Sequence, residues 1–377
     1  MITRVFEHTL SPQAQVFFLI MGTAIGAGMI TLPLITQGLS LISLTVMLGL
    51  SCIVMYAAAT CWIDLSERYG KDSHLTTYVR ALAPSLEFPT HVAYLTFFWS
   101  LMAYYLSTMP TFIEAYFSAS SLNHPIVYAA FLVLFLEASP VLQGIINQWA
   151  VMLMLALLFM ILLITSTGSL NLHLPWYNAN WPSLTLFSPL MMFFGYHLSI
   201  PSFQAYNLSP VALRKVCFRA GVSIGGLYWV WCFVLLSAVN SSRIVLDESQ
   251  FLMQLATIAQ SSQVLHPIAW FSLLAMWTSC LGMSMGTQHY LKDLFTKFRY
   301  LPFSLSLLNI LPSLVLLFCT QGAYRRLLTM ASFLALYLLI FLPAFLLILQ
   351  YRSQKRVHWM AMMLLALSVI LMLAATA

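Results

Sequence analysis

Along the whole chain, long apolar runs alternate with short polar breaks. Reading between clusters of charge or of Pro and Gly yields eleven candidate spans: 15–37, 41–65, 91–117, 125–142, 147–167, 184–206, 217–240, 264–290, 302–319, 327–349 and 358–376. Each approaches the ~20 apolar residues that a membrane-crossing helix needs, and Glu137 and Pro140 interrupt the fourth. Two connections carry a helical pattern of their own. Leu75, Tyr78, Val79 and Leu82 fall at i, i+3, i+4 and i+7; Phe251, Leu252, Leu255, Ile258 and Ala259 follow the acidic start Asp247-Glu248-Ser249. Both predict short amphipathic helices, either lying on the membrane or folded over a substrate path.

Composition agrees with the pattern. The 377 residues are 61% hydrophobic and 7% charged, against about 25% charged in a soluble domain, so lipid must be the solvent. Placing the N-terminus inside puts 13 Lys and Arg on the cytoplasmic side and only Arg243, Arg325 and Arg326 outside. By the positive-inside rule this predicts a multi-pass protein of a bacterial inner membrane with a cytoplasmic N-terminus. The basic balance follows from that bias, and no aromatic-interleaved basic patch points to nucleic acid. The six cysteines have no paired spacing and read as buried thiols. Residues 1–377 form one membrane domain, with no cofactor, metal or obligate protein partner implied.

Two spans are broken. The first runs Gly22-Thr23-Ala24-Ile25-Gly26-Ala27-Gly28 and then Met29-Ile30-Thr31-Leu32-Pro33; the sixth runs Phe194-Gly195-Tyr196-His197-Leu198-Ser199-Ile200-Pro201. Glycines cost up to ~1 kcal/mol each in a helix, and proline removes a donor and clashes with the preceding turn. Gly22 and Gly26 also fit a small-xxx-small packing face. Gly26 and Gly195 lie 169 residues apart, and Leu75 and Phe251 lie 176 apart on opposite sides. Spans one to five (15–167) and six to ten (184–349) therefore read as a five-plus-five inverted repeat, with 358–376 peripheral. Matching breaks in inverted halves point to a binding site at the membrane midplane. There the N–H groups of one half-helix attract an anion, and the freed carbonyls of the other attract a cation. A zwitterionic amino acid carries both.

Three stretches carry a resemblance to the hydroxy and aromatic amino acid permease family: GTAIGAGMITLP (Gly22 to Pro33), FFGYHLSIPS (Phe193 to Ser202) with Leu213-Arg214-Lys215, and AMWTSCLGMSMGTQHYLKDLF (Ala275 to Phe295). This implies an all-α fold of the leucine-transporter type and uptake of an aromatic or hydroxylated amino acid, usually with protons. Matching positions give Thr23, Ala24, Gly26, Ala27 and Gly28 to the substrate carboxylate and amine, and Gly195, Tyr196, His197 and Ser199 to the sixth-helix side. In such a fold Thr278 and Ser279 either ligate sodium with carbonyls of the broken first helix or bond back to their own helix.

His197 is the one titratable group in either break. It can carry a coupling proton or sit neutral between helices. Glu137 lies near a span end, where solvation or pairing with a neighbouring helix accounts for it. Of Tyr104 and Tyr105, adjacency predicts that at most one faces a substrate. The expected function is proton-coupled import of a tyrosine- or tryptophan-like amino acid. Sodium-coupled or exchange transport of another neutral amino acid is the alternative. A membrane enzyme would need convergent His, Asp or Glu at one depth, and a channel a polar pore stripe; neither pattern is present.

Overall fold

Every described element is a helix, the form in which an isolated segment satisfies its own backbone in lipid. The computed structural model describes residues 11–36, 39–70, 73–117, 124–167, 184–239, 265–295, 302–320, 331–353 and 358–376. The amphipathic segment predicted at 251–259 lies outside these residues.

The first span is two helices, α1 (Pro12–Ala24) and α2 (Ala27–Ile35). Pro12 sits at the start of α1, and the Ser11 side chain caps it. The second is α3 (Leu41–Tyr69), capped by Ser40, whose Oγ accepts from the Ser43 N–H at 3.2 Å, and closed by Gly70 at φ 85°. Next comes α4 (Leu75–Leu82), the predicted amphipathic helix, with Leu75, Tyr78 and Val79 buried. It does not lie loose on the membrane. Asp293, at the far end of the eighth span, accepts from the backbone N–H groups of His74 (3.2 Å) and Thr77 (3.1 Å) and from the Thr77 hydroxyl (2.7 Å), pinning α4 by its N-terminus. A carboxylate there also complements the helix dipole.

Then follow α5 (Glu87–Phe117), α6 (Pro125–Glu137) and α7 (Pro140–Thr167). The fourth and fifth spans meet closer than hydropathy suggested. Proline at 140 opens a helix there, since its missing N–H would be unpaired anyway. The Gln143 side chain donates to the carbonyls of Phe135 (3.0 Å), Leu136 (3.2 Å) and Ala138 (3.0 Å), closing the end of α6. The sixth span holds α8 (Phe187–Phe193) and α9 (Ile200–Phe203). After it come α10 (Pro210–Val239), α11 (Leu265–Leu294), α12 (Pro302–Thr320), a π turn at Leu336–Phe341 leading into α13 (Leu342–Ser353), and α14 (Trp359–Thr376).

Among the described residues, five helical stretches are long and apolar enough to cross a membrane: Leu41–Tyr69, Leu142–Ile164, Pro210–Val234, His266–Leu294 and Ala331–Arg352. One end of the bundle carries Arg68, Arg80, Arg214, Lys215, Arg219, Lys292 and Arg352, and is called the basic face below. The broken first span is central, packed on α7, α10 and α11. Its glycines make that contact close: a Cβ at Gly22 would lie 3.1 Å from Asn147 Oδ1 and 3.3 Å from Thr278 Cβ. Cys61, Cys217, Cys232 and Cys280 are buried as expected, Cys52 is half-buried, and Cys319, near the end of α12, is exposed instead.

Candidate functional site: a cavity between two helix breaks

The two breaks set the site. After α1 ends at Ala24, the Ile25 N–H still reaches Met21 O (2.8 Å), but Gly26 is extended (φ −117°, ψ −151°) and donates to Ala24 O at 2.9 Å. That conformation suits any residue; the space does not. A Cβ at Gly26 would lie 3.0 Å from Ser279 Cβ and 3.1 Å from the Tyr105 hydroxyl. Gly26 is also the N-cap of α2; the Met29 N–H donates to Gly26 O at 2.9 Å, and the N–H groups that open α2 beside Gly28 have no side-chain cap. In the sixth span, Gly195 and Tyr196 follow α8 and lead into a 3-10 turn, His197–Ser199.

Neighbouring helices receive the freed carbonyls. Ser279 Oγ donates to Thr23 O (3.0 Å) and lies 3.2 Å from Gly22 O. The Tyr228 hydroxyl, on α10, lies 2.6 Å from Ala24 O and 3.1 Å from Phe193 O, so one phenol joins the ends of α1 and α8. Trp231 Nε1 donates to Met29 O at 2.6 Å. A carbonyl has two lone pairs; Ala24 O already accepts from both the Gly26 N–H and the Tyr228 hydroxyl, whereas Thr23 O and Phe193 O each take one side-chain donor and leave room for a ligand cation.

Between the breaks lies a small cavity. Thr23, Ala24, Gly28 and Thr31 line it from the first span, and Met192, Phe193 and Gly195 from the sixth; Met283 adds to it from α11. The opposite wall is one stripe of α5: Phe97, Leu101, Tyr104 and Tyr105. Among the described residues no charged side chain lines it. Both tyrosines take part, contrary to the adjacency expectation, because neighbours on a helix diverge by about 100° and the cavity wraps around that edge of α5.

A second hollow of about 300 Å³ shares Phe97, Gly195 and Met283 with the first and adds Tyr94, Ser199, Gly286 and Thr287. It leads toward the basic face and ends at a plug. Tyr94 stacks on Tyr290 (3.9 Å), whose hydroxyl is 2.5 Å from His91 Nδ1. Buried His74 packs edge-on to His289 (5.3 Å), and His289 Nδ1 lies 3.1 Å from Ser202 Oγ on α9. Burial and the adjacent His289 hold the His74 imidazole well below its usual pKa.

Of the residues singled out from the sequence, Thr23, Ala24, Gly28 and Gly195 line the cavity and Ser199 the second hollow. Gly26 backs onto Ser279, and Ala27 opens α2. Tyr196 and His197 are corrections: both are buried outside either lining, the rings stack at 4.4 Å, and His197 Nε2 bonds Met55 O of α3 at 2.7 Å. A 3-10 turn has three residues per turn, so Gly195 and Leu198 share a face while the two between them turn to α3. Thr278 donates to Leu274 O (2.9 Å) within its own helix, and only Ser279 reaches the break. Glu137 accepts from Ser306 Oγ of α12 at 2.6 Å. Sequence reading missed Thr31, Phe97, Leu101, Met192, Phe193, Met283 and Tyr228. The four-three spacing of Phe97, Leu101 and Tyr104 was the visible signal.

The model of the tryptophan/tyrosine permease family matches residues 14–377. The chain belongs to that family. It is a multi-pass membrane transporter of amino-acid-like substrates and not an enzyme. No curated protein matches its sequence. Solved structures share the fold. MhsT in complex with L-phenylalanine is similar at 12% identity over 96% of this chain and 98% of its own, with a TM-score of 0.62. Mhp1, a nucleobase-cation-symport-1 family transporter closed with bromovinylhydantoin bound, is similar at 13% identity over 98% and 91%, TM-score 0.60. A manganese transporter of Eremococcus coleocola, in complex with an aromatic bis-isothiourea substituted compound, is similar at 15% over 97% and 85%, TM-score 0.60. The permease thus has the expected all-helical fold of the leucine-transporter type.

Proposed function

We propose that this permease imports an aromatic amino acid of the tyrosine or tryptophan kind by proton symport across a bacterial inner membrane, its basic face in the cytoplasm. The observation that carries the reading is the cavity itself. Uncapped N–H groups of α2 and the carbonyl ends of α1 and α8 meet there with no charged side chain, which suits a zwitterion. The wall of Phe97, Tyr104, Tyr105, Phe193, Met192 and Met283 suits an aromatic ring, since offset and edge-on aromatic contacts add about 0.5–1.5 kcal/mol and Met packs well on rings. MhsT, which shares the fold, was solved with L-phenylalanine.

One proton moving with a zwitterion carries one net charge, worth ~2.3 kcal/mol per 100 mV, or roughly 50-fold accumulation at 1.36 kcal/mol per decade. The test is uptake of radiolabelled tyrosine, tryptophan, phenylalanine and serine into proteoliposomes. Accumulation of one aromatic under an imposed proton gradient without sodium is expected. Uptake indifferent to membrane potential and pH gradient removes proton coupling. A sodium requirement instead favours the second reading, which rests on Ser279, whose Oγ reaches the freed carbonyls of Gly22 and Thr23, with Thr278 beside it bonded back to its own helix.

A further inference from the structure

Away from the cavity, a hollow of about 550 Å³ opens between α3 and α10 at the basic face, lined by Tyr56, Val211, Arg214, Lys215, Phe218 and Arg219. Its wall is built: the Tyr56 and Phe218 rings meet edge-on at 5.4 Å. Arg214 is pinned to α3 by an ion pair with Asp64. Asp64 offsets that one charge. Lys215 and Arg219 are exposed and have no ion-pair partner among the described residues.

The stripe that carries these cations is otherwise apolar. Val211, Lys215, Phe218 and Val222 fall at i, i+4, i+7 and i+11, one face of α10. Val211, Phe218 and Val222 are 59%, 53% and 55% exposed. On a membrane helix such residues face acyl chains, while Lys and Arg stems lie along the apolar surface and lift their charges to headgroup depth. Two unpaired cations over a hollow, with acyl-facing side chains beneath, match a molecule that is anionic at one end and aliphatic at the other. A soluble phosphate would use the cations and leave Val211 and Phe218 unexplained.

We propose that this hollow binds the headgroup of an anionic phospholipid from the leaflet at the basic face, its phosphate held by Lys215 and Arg219 and bounded by the tethered Arg214 and Tyr56. The site touches both α3 and α10. Tyr228 and Trp231, which donate to carbonyls of the broken spans, lie 13 and 16 residues along α10 from Lys215. At 1.5 Å per residue that is about 20–24 Å, so the lipid braces the basic-face end of the helix that holds the two breaks.

The full-length permease in detergent is titrated with phosphatidylglycerol and, separately, phosphatidylcholine, with bound lipid read by native mass spectrometry and thermal midpoint. Saturable phosphatidylglycerol binding is expected, at least tenfold tighter than phosphatidylcholine. Near a membrane surface each Lys or Arg contributes about 1 kcal/mol, so Lys215→Gln with Arg219→Gln should weaken binding about thirtyfold, at 1.4 kcal/mol per tenfold. Lys215→Arg with Arg219→Lys should keep it. Arg68→Gln with Arg352→Gln removes the same charge from the same face and should cost little. Should the first pair unfold, Arg219→Gln alone is read against Arg352→Gln alone by the same criterion. Equal losses from both charge-removing pairs, equal binding of phosphatidylcholine, or displacement by glycerol 3-phosphate at concentrations matching the lipid would each overturn the site.

Discussion

Replacing Tyr228 by Phe removes one buried oxygen and leaves the ring in place. That oxygen lies 2.6 Å from Ala24 O and 3.1 Å from Phe193 O. Ala24 O keeps the Gly26 N–H at 2.9 Å. Phe193 O, at the end of α8, loses the donor seen there among the described residues, so the cost concentrates on one buried carbonyl. An unsatisfied buried acceptor costs ~1–3 kcal/mol, while hydrogen bonds measured inside membrane proteins average ~0.6 and reach ~1.7. Between these bounds, about 1–2 kcal/mol is expected. The bond joins the two breaks, so the loss should fall on the arrangement that holds substrate: affinity drops roughly 5- to 30-fold at 1.4 kcal/mol per tenfold. Equilibrium binding of labelled tyrosine and tryptophan to purified Tyr228→Phe, with its thermal midpoint, measures both effects. Unchanged affinity in a folded preparation would refute the reasoning that this phenol couples the breaks.

Other outcomes follow from the same geometry. Gly26→Ala fits the backbone but forces its Cβ against Ser279 and Tyr105; overpacking of this kind costs ~1–3 kcal/mol, so binding should fall about tenfold, with partial recovery when Ser279→Gly is added. Tyr104→Leu should weaken aromatic substrates roughly 2- to 13-fold, by the worth of one ring contact, and leave any serine binding unchanged. His74, buried and held below the usual imidazole range, stays neutral while the plug is closed. Closed-plug stability is therefore intact above pH ~6.5 and shrinks below it, as the opened or unfolded imidazole takes a proton that the buried one refuses. The thermal midpoint should drop between pH 7 and 5, and His74→Gln should flatten that slope; an unchanged slope would assign it to other groups.

Much of the site's frame was legible because it is local. Three glycines within seven residues weaken any helix, and the first span does break at Ile25–Gly26; the sixth breaks at Gly195. The i, i+3, i+4, i+7 pattern at Leu75–Leu82 became α4 with Leu75, Tyr78 and Val79 buried and Leu82 half-buried. What was hidden depends on which helix faces which. Phe97 and Leu101 could be seen as a stripe of α5 but not as a wall, since Met192, Phe193 and Met283 are brought opposite only by packing. His197 was misplaced because its titratable ring drew attention, whereas a 3-10 turn decided its direction. Tyr228 gave no signal: a phenol in a long apolar helix has no local pattern that marks it as the partner of two distant carbonyls.

The measurement that bears most directly on the cavity is binding of the preferred aromatic amino acid beside two truncated analogues, its amine without the carboxylate and its acid without the amino group. If uncapped N–H groups of α2 and carbonyls of the broken helices hold both ends of a zwitterion, each analogue should bind at least tenfold more weakly than the parent. Analogues that bind as tightly as the parent would contradict backbone capture between the breaks.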